Sequence, residues 1–385
     1  MNQYLVKSRR QELDWLRVFA ILALVFYHTG LLFGPWTWDM KNPETNENYA
    51  YWMAFLHGWR MPLLFFISGA GTFFAFGKFN TPRFIVERVK RLIVPLIFGM
   101  VVILPPQDYY QHIQEYDNYW DFYKSVLDYI PYYQGVANLH HLWFLSHLFI
   151  FSLLGIPVIL LLRSTYADSL KATFLDFLFN PIVLLLLPPV LILATQIMFV
   201  PFHPGRAHFA FYCSFFLAGI ICYSSTFHVE TIGNNRKLFL FSSIVSLVPI
   251  IILYKGQGQI YPFESHTLCS PLEVIAIFAV WFLVMTLIGY GQYYLKRTPS
   301  WFTRVSEATY PVYILHQTVI IVIGYYMGKL PWGINTKFWS VSLLTMVICI
   351  LLYELVIRPF NVMRFLFGLK LKPQKSKVAV AGQPD

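Results

Sequence analysis

The sequence predicts an all-α, polytopic membrane protein with ten transmembrane helices and both termini in the cytoplasm, and three observations carry that prediction. The first is composition: 57% of the 385 residues are hydrophobic and 12% are charged, whereas a soluble domain is about a quarter charged. Second, ten apolar runs of membrane-crossing size occur, at 13–34, 51–76, 91–106, 140–162, 181–200, 208–224, 238–254, 271–290, 308–327 and 339–357. Third, with the N-terminus inside, the inner segments carry 21 Lys and Arg and the outer loops carry 6, the asymmetry that sets topology. The net charge of +10 is then a topology signal, and nucleic acid is set aside as a partner. The expected environment is the bilayer of the cell (inner) membrane.

The elements follow in order. Residues 1–12 (MNQYLVKSRRQE) are polar and precede a run that is too long for a signal-peptide core and has no small-residue cleavage site, so they read as a retained cytoplasmic segment. The first span, LDWLRVFAILALVFYHTGLLFG, holds Asp14 and Arg17 near its start and His28 further in. Ten residues separate Arg17 from His28, so on a helix they stand about 16 Å apart along the axis, with Arg17 at one headgroup level and His28 past the midplane. The second span enters from outside as HGWRMPLLFFISG, and the inner loop behind it, FGKFNTPRFIVERVKRLIVP, brings Arg88 and Arg91 to the mouth of span three. The outer loop 107–139 is acidic and crowded with tyrosines, among them Tyr109, Tyr119, Tyr129, Tyr132 and Tyr133. Two readings of it stand: flat aromatic faces for a sugar, or an aromatic girdle resting on headgroups. Span four opens HHLWFLSHLFIF and span nine contains YPVYILHQ. Glu273 in span eight and Glu354 in span ten read as rim residues. The segment 358–385 is a short basic cytoplasmic tail, expected to be disordered. Residues 13–357 form one membrane domain, so chemistry has to happen inside the helical bundle.

Ionisable groups at membrane depth cost several kcal/mol unless they are paired or face water, which makes them functional candidates. His57 and Arg60 are three residues apart and share a helix face. By topology His28, His57, Arg60, His147 and His316 fall at similar depths in the outer half, with His140 and His141 at the rim, and one wet cavity would accommodate them all. The competing reading makes Arg17 an interfacial anchor and His28 a hydrogen-bonded core residue. At the inner face Arg88 and Arg91, on the same side as Arg17, would clamp phosphates. A phosphate-bearing donor held there, with its reactive end reaching a histidine past the midplane, is a way to move an activated group across a membrane. A histidine takes a proton from a hydroxyl or is itself acylated, and Arg60 would stabilise an oxyanion. GTFFAFGKF (71–79) has one residue too many for a phosphate loop and lacks Ser or Thr after its lysine. No HExxH or CxxC pattern occurs, and the four cysteines show no paired spacing, so neither a metal nor a disulfide framework is expected.

Arg17–x10–His28, RMPLLFFISGA, ERVKRLIVP, HLWFL and YPVYILHQ, in that order, resemble the acyltransferase-3 family of membrane O-acyltransferases. Within the family the chain is most similar to the periplasmic-glucan succinyltransferase type, which HGWRMPLLFFISG, HHLWFL and LLYELVIRPFNVMRFLFGLK also match. The resemblance implies an acyl group, succinyl or acetyl, taken from cytoplasmic acyl-CoA and placed on a hydroxyl of an extracytoplasmic glycan. It implies His28 as the catalytic histidine with Arg17 as its motif partner, Arg88 and Arg91 at the donor entrance, and His57, Arg60, His141 and His316 around the substrate. Some relatives carry an extra extracytoplasmic domain, which is not expected after span ten here. The alternative function is a transporter or flippase of an acidic or lipid-linked solute, which also needs buried His and Arg. Against it, the Arg17–His28 arrangement is not repeated in the second half of the chain.

Overall fold

The computed structural model describes residues 10–38, 40–128, 139–164, 176–199, 204–253 and 271–373, and among these no strand occurs. The helices are α1 (Gln11–Phe33), α2 (Tyr49–Phe76), α3 (Thr81–Gln111), α4 (Tyr119–Asp128), α5 (His140–Arg163), α6 (Pro181–Phe199), α7 (Pro204–Cys222), α8 (Thr226–Asn234), α9 (Arg236–Leu253), α10 (Pro271–Tyr294), α11 (Phe302–Gly328), α12 (Ile334–Ile357) and α13 (Asn361–Leu366). Nine of them are long and apolar enough to cross a membrane alone. The predicted span 208–224 lies in α7, which breaks into α8 with a bend of 108°, and counting this pair as one span gives ten.

Burial separates inner helices from outer ones. The apolar window of α2 is 78% buried inside the protein and that of α1 is 72%, against 17% for α9. α1 is central and packs on α2, α10, α11 and α12. Its end is closed by a side chain from outside the span: Lys41 donates to the carbonyls of Leu31 (2.6 Å) in the last turn, of Gly34 at the cap and of Trp36 (2.9 Å) just beyond, groups that the end of a helix leaves short of partners. Partial burial lowers the pKa of this ammonium.

α2 and α7 cross with their backbones in contact. A Cβ on Gly69 would strike the carbonyl of Phe216, and one on Gly219 would strike the carbonyl of Phe66. Paired small residues permit such an approach where lipid supplies no hydrophobic drive between helices.

α3 is longer than the predicted span 91–106. Asn80 caps it, accepting from the Arg83 amide at 3.1 Å, and the helix widens to π turns at Val89–Ile93 and Gly99–Ile103. Prolines explain where its spare carbonyls go. Pro95 offers no N–H to Arg91, whose carbonyl accepts the Tyr310 hydroxyl at 2.6 Å; Pro105 offers none to Val101, whose carbonyl accepts from Tyr123 at 3.1 Å.

Residues 361–373, expected to be disordered, fold back along the end of α3. Arg364 pairs with Glu307 of α11 and donates through Nε to the Lys370 carbonyl at 2.6 Å. Glu354 is bonded by Arg304 and, at 2.8 Å, by Arg358, so this predicted rim residue ties α12 to α11.

Candidate active site

α1 and α11 run side by side in the same direction, and that register sets two layers. At one end Arg17 Nη2 donates to Asp14 Oδ1 (2.6 Å) and to Ser306 Oγ of α11 (2.9 Å). Further along, the His28 ring lies 5.0 Å from that of His316. The spacing read from one helix is therefore matched by a similar spacing on its neighbour.

The outer layer is an imidazole chain. His316 is also 5.0 Å from His141, at the start of α5. The His316 Nδ1–H donates to the Tyr313 carbonyl at 2.7 Å, and the His141 Nε2–H donates to the Ile314 carbonyl at 3.0 Å. A carbonyl only accepts, so each neutral ring is fixed with its lone pair on the other nitrogen. Those nitrogens, His316 Nε2 and His141 Nδ1, are buried without a hydrogen-bond partner in the protein, and so is His28 Nδ1. The Gln317 side chain also interacts with the His28 ring. Three neighbouring rings thus each carry a buried nitrogen that an incoming hydroxyl could satisfy.

Arg60, 2% exposed, adds the cation. Its guanidinium sits over the Tyr27 ring at 3.9 Å, and His57 stacks on that same ring at 5.3 Å. Tyr27 precedes His28 in α1, so the two α2 residues meet the cluster through it. Arg60 lies within electrostatic reach of both His28 and His316.

The inner layer is a cavity of about 450 Å³ whose lining includes Arg17, Arg88, Arg91, Ser306, Tyr310 and Tyr313. Arg88 covers Phe84 at 4.8 Å, and Arg91 Nε stands 3.9 Å from Glu87. The π turn at Val89–Ile93 carries Arg91, and the Tyr310 bond holds its backbone. Such turns concentrate at functional sites because they re-aim side chains. Tyr313 joins the two layers. It lines the cavity, its hydroxyl donates to the His141 carbonyl at 2.5 Å, and its ring is 6.1 Å from His316.

The structure therefore brings His28, His141 and His316 into one group, sets His57 and Arg60 against it across Tyr27, and gathers Arg17, Arg88 and Arg91 around one cavity. His147 stands apart: it bonds the Trp143 carbonyl of its own helix at 3.0 Å and packs near Trp143 and Phe209. Tyr310, Tyr313 and Gln317 belong to the site and were not singled out, although Tyr310, Tyr313 and His316 recur every three residues in YPVYILHQ and so share a face. His140 bonds Asp108 Oδ1 at 2.8 Å, a pair between α3 and α5 that the sequence does not announce. In the loop 107–139 Tyr109, Tyr119, Phe122 and Tyr123 pack ring against ring, and Trp120 is 66% exposed. Tyr129, Tyr132 and Tyr133 lie outside the described residues, as does Cys269. Among the described residues no three His, Cys, Asp or Glu are grouped to hold a metal ion.

Known proteins resemble the chain over almost its whole length. The glucans biosynthesis protein C of Escherichia coli is 21% identical over 378 residues, covering 94% of this chain and 95% of its own length. The protein of the same name from Shigella dysenteriae is also 21% identical over 378 residues, with the same coverage. No solved structure matches. The acyltransferase-3 family model, described as an acyltransferase domain, matches residues 10–354, nearly the whole described bundle and every residue named above in the two layers; only Gly368, Leu369 and Lys370, which the C-terminal strap 361–373 adds to the cavity lining, fall outside it. The chain belongs to that family of membrane acyltransferases.

Proposed function

We propose that the protein moves an acyl group, succinyl or acetyl, from acyl-CoA bound at the cytoplasmic face to a hydroxyl of a glycan on the other side of the inner membrane. The charge asymmetry of the loops supports this orientation, and the name of the similar proteins supports a glucan as acceptor. The observation that carries the reading is the stacking of the layers: Tyr313 lines the arginine cavity and bonds His141, and His141, His316 and His28 follow ring to ring, each with an unsatisfied nitrogen.

In this reading Arg17, Arg88 and Arg91 hold the phosphates of the donor, and its thioester arm extends past Tyr313. His28 Nδ1 takes the proton from the acceptor hydroxyl, oriented by Gln317 behind it. The hydroxyl oxygen attacks the thioester carbonyl, and the oxyanion that forms lies in the field of Arg60. The carbon–sulfur bond then breaks, the new carbon–oxygen bond remains, and the proton passes from His28 to the leaving thiolate. His141 and His316, fixed in their tautomers, accept hydrogen bonds from the sugar, with His57 at the edge of that space. No metal takes part in these steps.

Thiol release by the purified protein tests this directly. With succinyl-CoA or acetyl-CoA and an oligoglucan, wild type is expected to liberate CoA and acylate the sugar, and His28→Ala is expected to do neither. Absence of thioester-dependent product for every donor would end the proposal, and solute flux into vesicles that persists without acyl-CoA would replace it with transport.

A further inference from the structure

A second cavity, of about 360 Å³, lies on the inner surface between the beginning of α3 and the C-terminal strap, and its lining includes Phe79, Arg83, Lys90, Arg91, Phe365 and Lys370. Arg91, Gly368, Leu369 and Lys370 line it and the arginine cavity alike, so the two spaces meet at the strap. Retention of positive charge at the cytoplasmic face explains cations pointing at headgroups. It does not explain four of them around one surface cavity. Glu87 is the one carboxylate in that lining, and it faces Lys90 at 3.5 Å and Arg91 at 3.9 Å. Flat rings accompany the charges: Phe79, with the Arg83 guanidinium 5.2 Å from its centre, and Phe365, which is 40% exposed.

The strap is held rigidly. Gly368 has φ +65°, and a Cβ there would come within 2.6 Å of the Arg91 carbonyl, 2.9 Å of Pro95 and 3.0 Å of Tyr310. Only glycine takes that backbone conformation so close to α3 without cost. The bond from Arg364 to the Lys370 carbonyl, the ion pair of Arg364 with Glu307, and the bond from the Lys372 amide to Asn361 Oδ1 at 2.9 Å fix the turn that presents Lys370.

We infer that this second cavity is the nucleotide subsite of the donor. The phosphorylated ribose and the base lie among Arg83, Lys90, Lys370 and the two phenylalanines, while the thioester arm occupies the first cavity, walled by Leu64, Ile67, Phe144 and Leu148 beside its arginines. The chemistry fits each half: phosphates need several convergent cations, a base needs a flat apolar face, and a thin arm needs an apolar channel. This rests on the acyl-CoA reading above and adds to it a residue set that includes the C-terminal strap.

Equilibrium binding to the full-length protein in detergent tests the inference, with CoA, adenosine 3′,5′-bisphosphate and pantetheine as probes. Wild type is expected to bind CoA and to lose it to the bisphosphate. Lys370→Glu and Arg83→Glu are expected to weaken CoA by about tenfold or more and to abolish competition by the bisphosphate, with Lys370→Gln intermediate. Lys237→Glu, in the first turn of α9, is expected to bind as wild type does. Unaltered melting and gel-filtration profiles show that the variants fold. CoA affinity untouched by the Lys370 and Arg83 changes, or reduced equally by Lys237→Glu, would overturn the subsite and leave the donor reading standing. A wild type that binds pantetheine but gains nothing from the nucleotide would also overturn it. Failure of wild type to bind CoA at all would remove both.

Discussion

Within the site each side chain is set by one or two partners, and its replacement has a definite consequence. His28→Ala removes the proposed base but no phosphate contact, so kcat is expected to fall by about 100-fold or more while the KM for the donor stays close to wild type; a small loss would make His28 a core residue. Tyr310→Phe acts differently. It deletes one hydroxyl and leaves the Arg91 carbonyl, already without a proline N–H, unsatisfied at a cost of about 1–3 kcal/mol. The expected result is a lower melting temperature and a raised donor KM, since Arg91 is the side chain that moves. Residue identities at the site were readable because an imidazole or guanidinium inside an apolar run is costly and stands out. Tyr310, Tyr313 and Gln317 were not, because a tyrosine or a glutamine in a membrane helix has many ordinary uses. Their roles are set by partners on other helices: the Arg91 carbonyl that Pro95 leaves free for Tyr310, the His141 carbonyl for Tyr313 and the His28 ring for Gln317.

At the level of helices, crossings and breaks decide the shape of the site. The α2–α7 crossing holds α2, and with it His57 and Arg60, against the core. Gly69→Ala or Gly219→Ala puts a methyl onto a facing carbonyl, and each is expected to destabilise by about 1–3 kcal/mol. Because both replacements push the same two helices apart, the double variant is expected to lose less than the sum. Melting curves of the four proteins check this, and an additive loss would mean the crossing is not shared. Helix existence was legible along most of the chain, since apolar runs of this length have few alternatives in a bilayer. The extra turns of α3 were not, because FNTPRFIVERVK is polar enough to look like a loop until Asn80 and Pro82 are recognised as a helix start. Nor was the 108° bend after α7, which no proline or glycine marks at the break. The folded strap at 361–373 was hidden for another reason: a basic, proline-flanked segment reads as disordered unless its partner, Glu307 on α11, is known to be facing it.

For the whole molecule, the proposed orientation separates donor from acceptor by a membrane, and this is open to labelling. Single cysteines at Lys124 and Lys296, in a background with the native cysteines replaced, are expected to react with impermeant maleimide in intact cells only at 124 and to become reactive at 296 after permeabilisation. The reverse pattern would place the arginine cavity outside and end the acyl-CoA reading. Broad architecture was legible from charge placement because the positive-inside rule acts on loops and not on tertiary contacts. How two cavities and one imidazole chain line up across ten helix segments was not, since sequence gives depth but not facing. The most direct measurement of the central claim is mass spectrometry of surface and periplasmic glycans from cells with the intact protein, without it, and with His28→Ala present in the membrane at normal level. The account predicts that one acyl mass disappears in both the null and the variant; retention of that mass by the variant, or a glycan that is unmodified but mislocalised in the null, would contradict it.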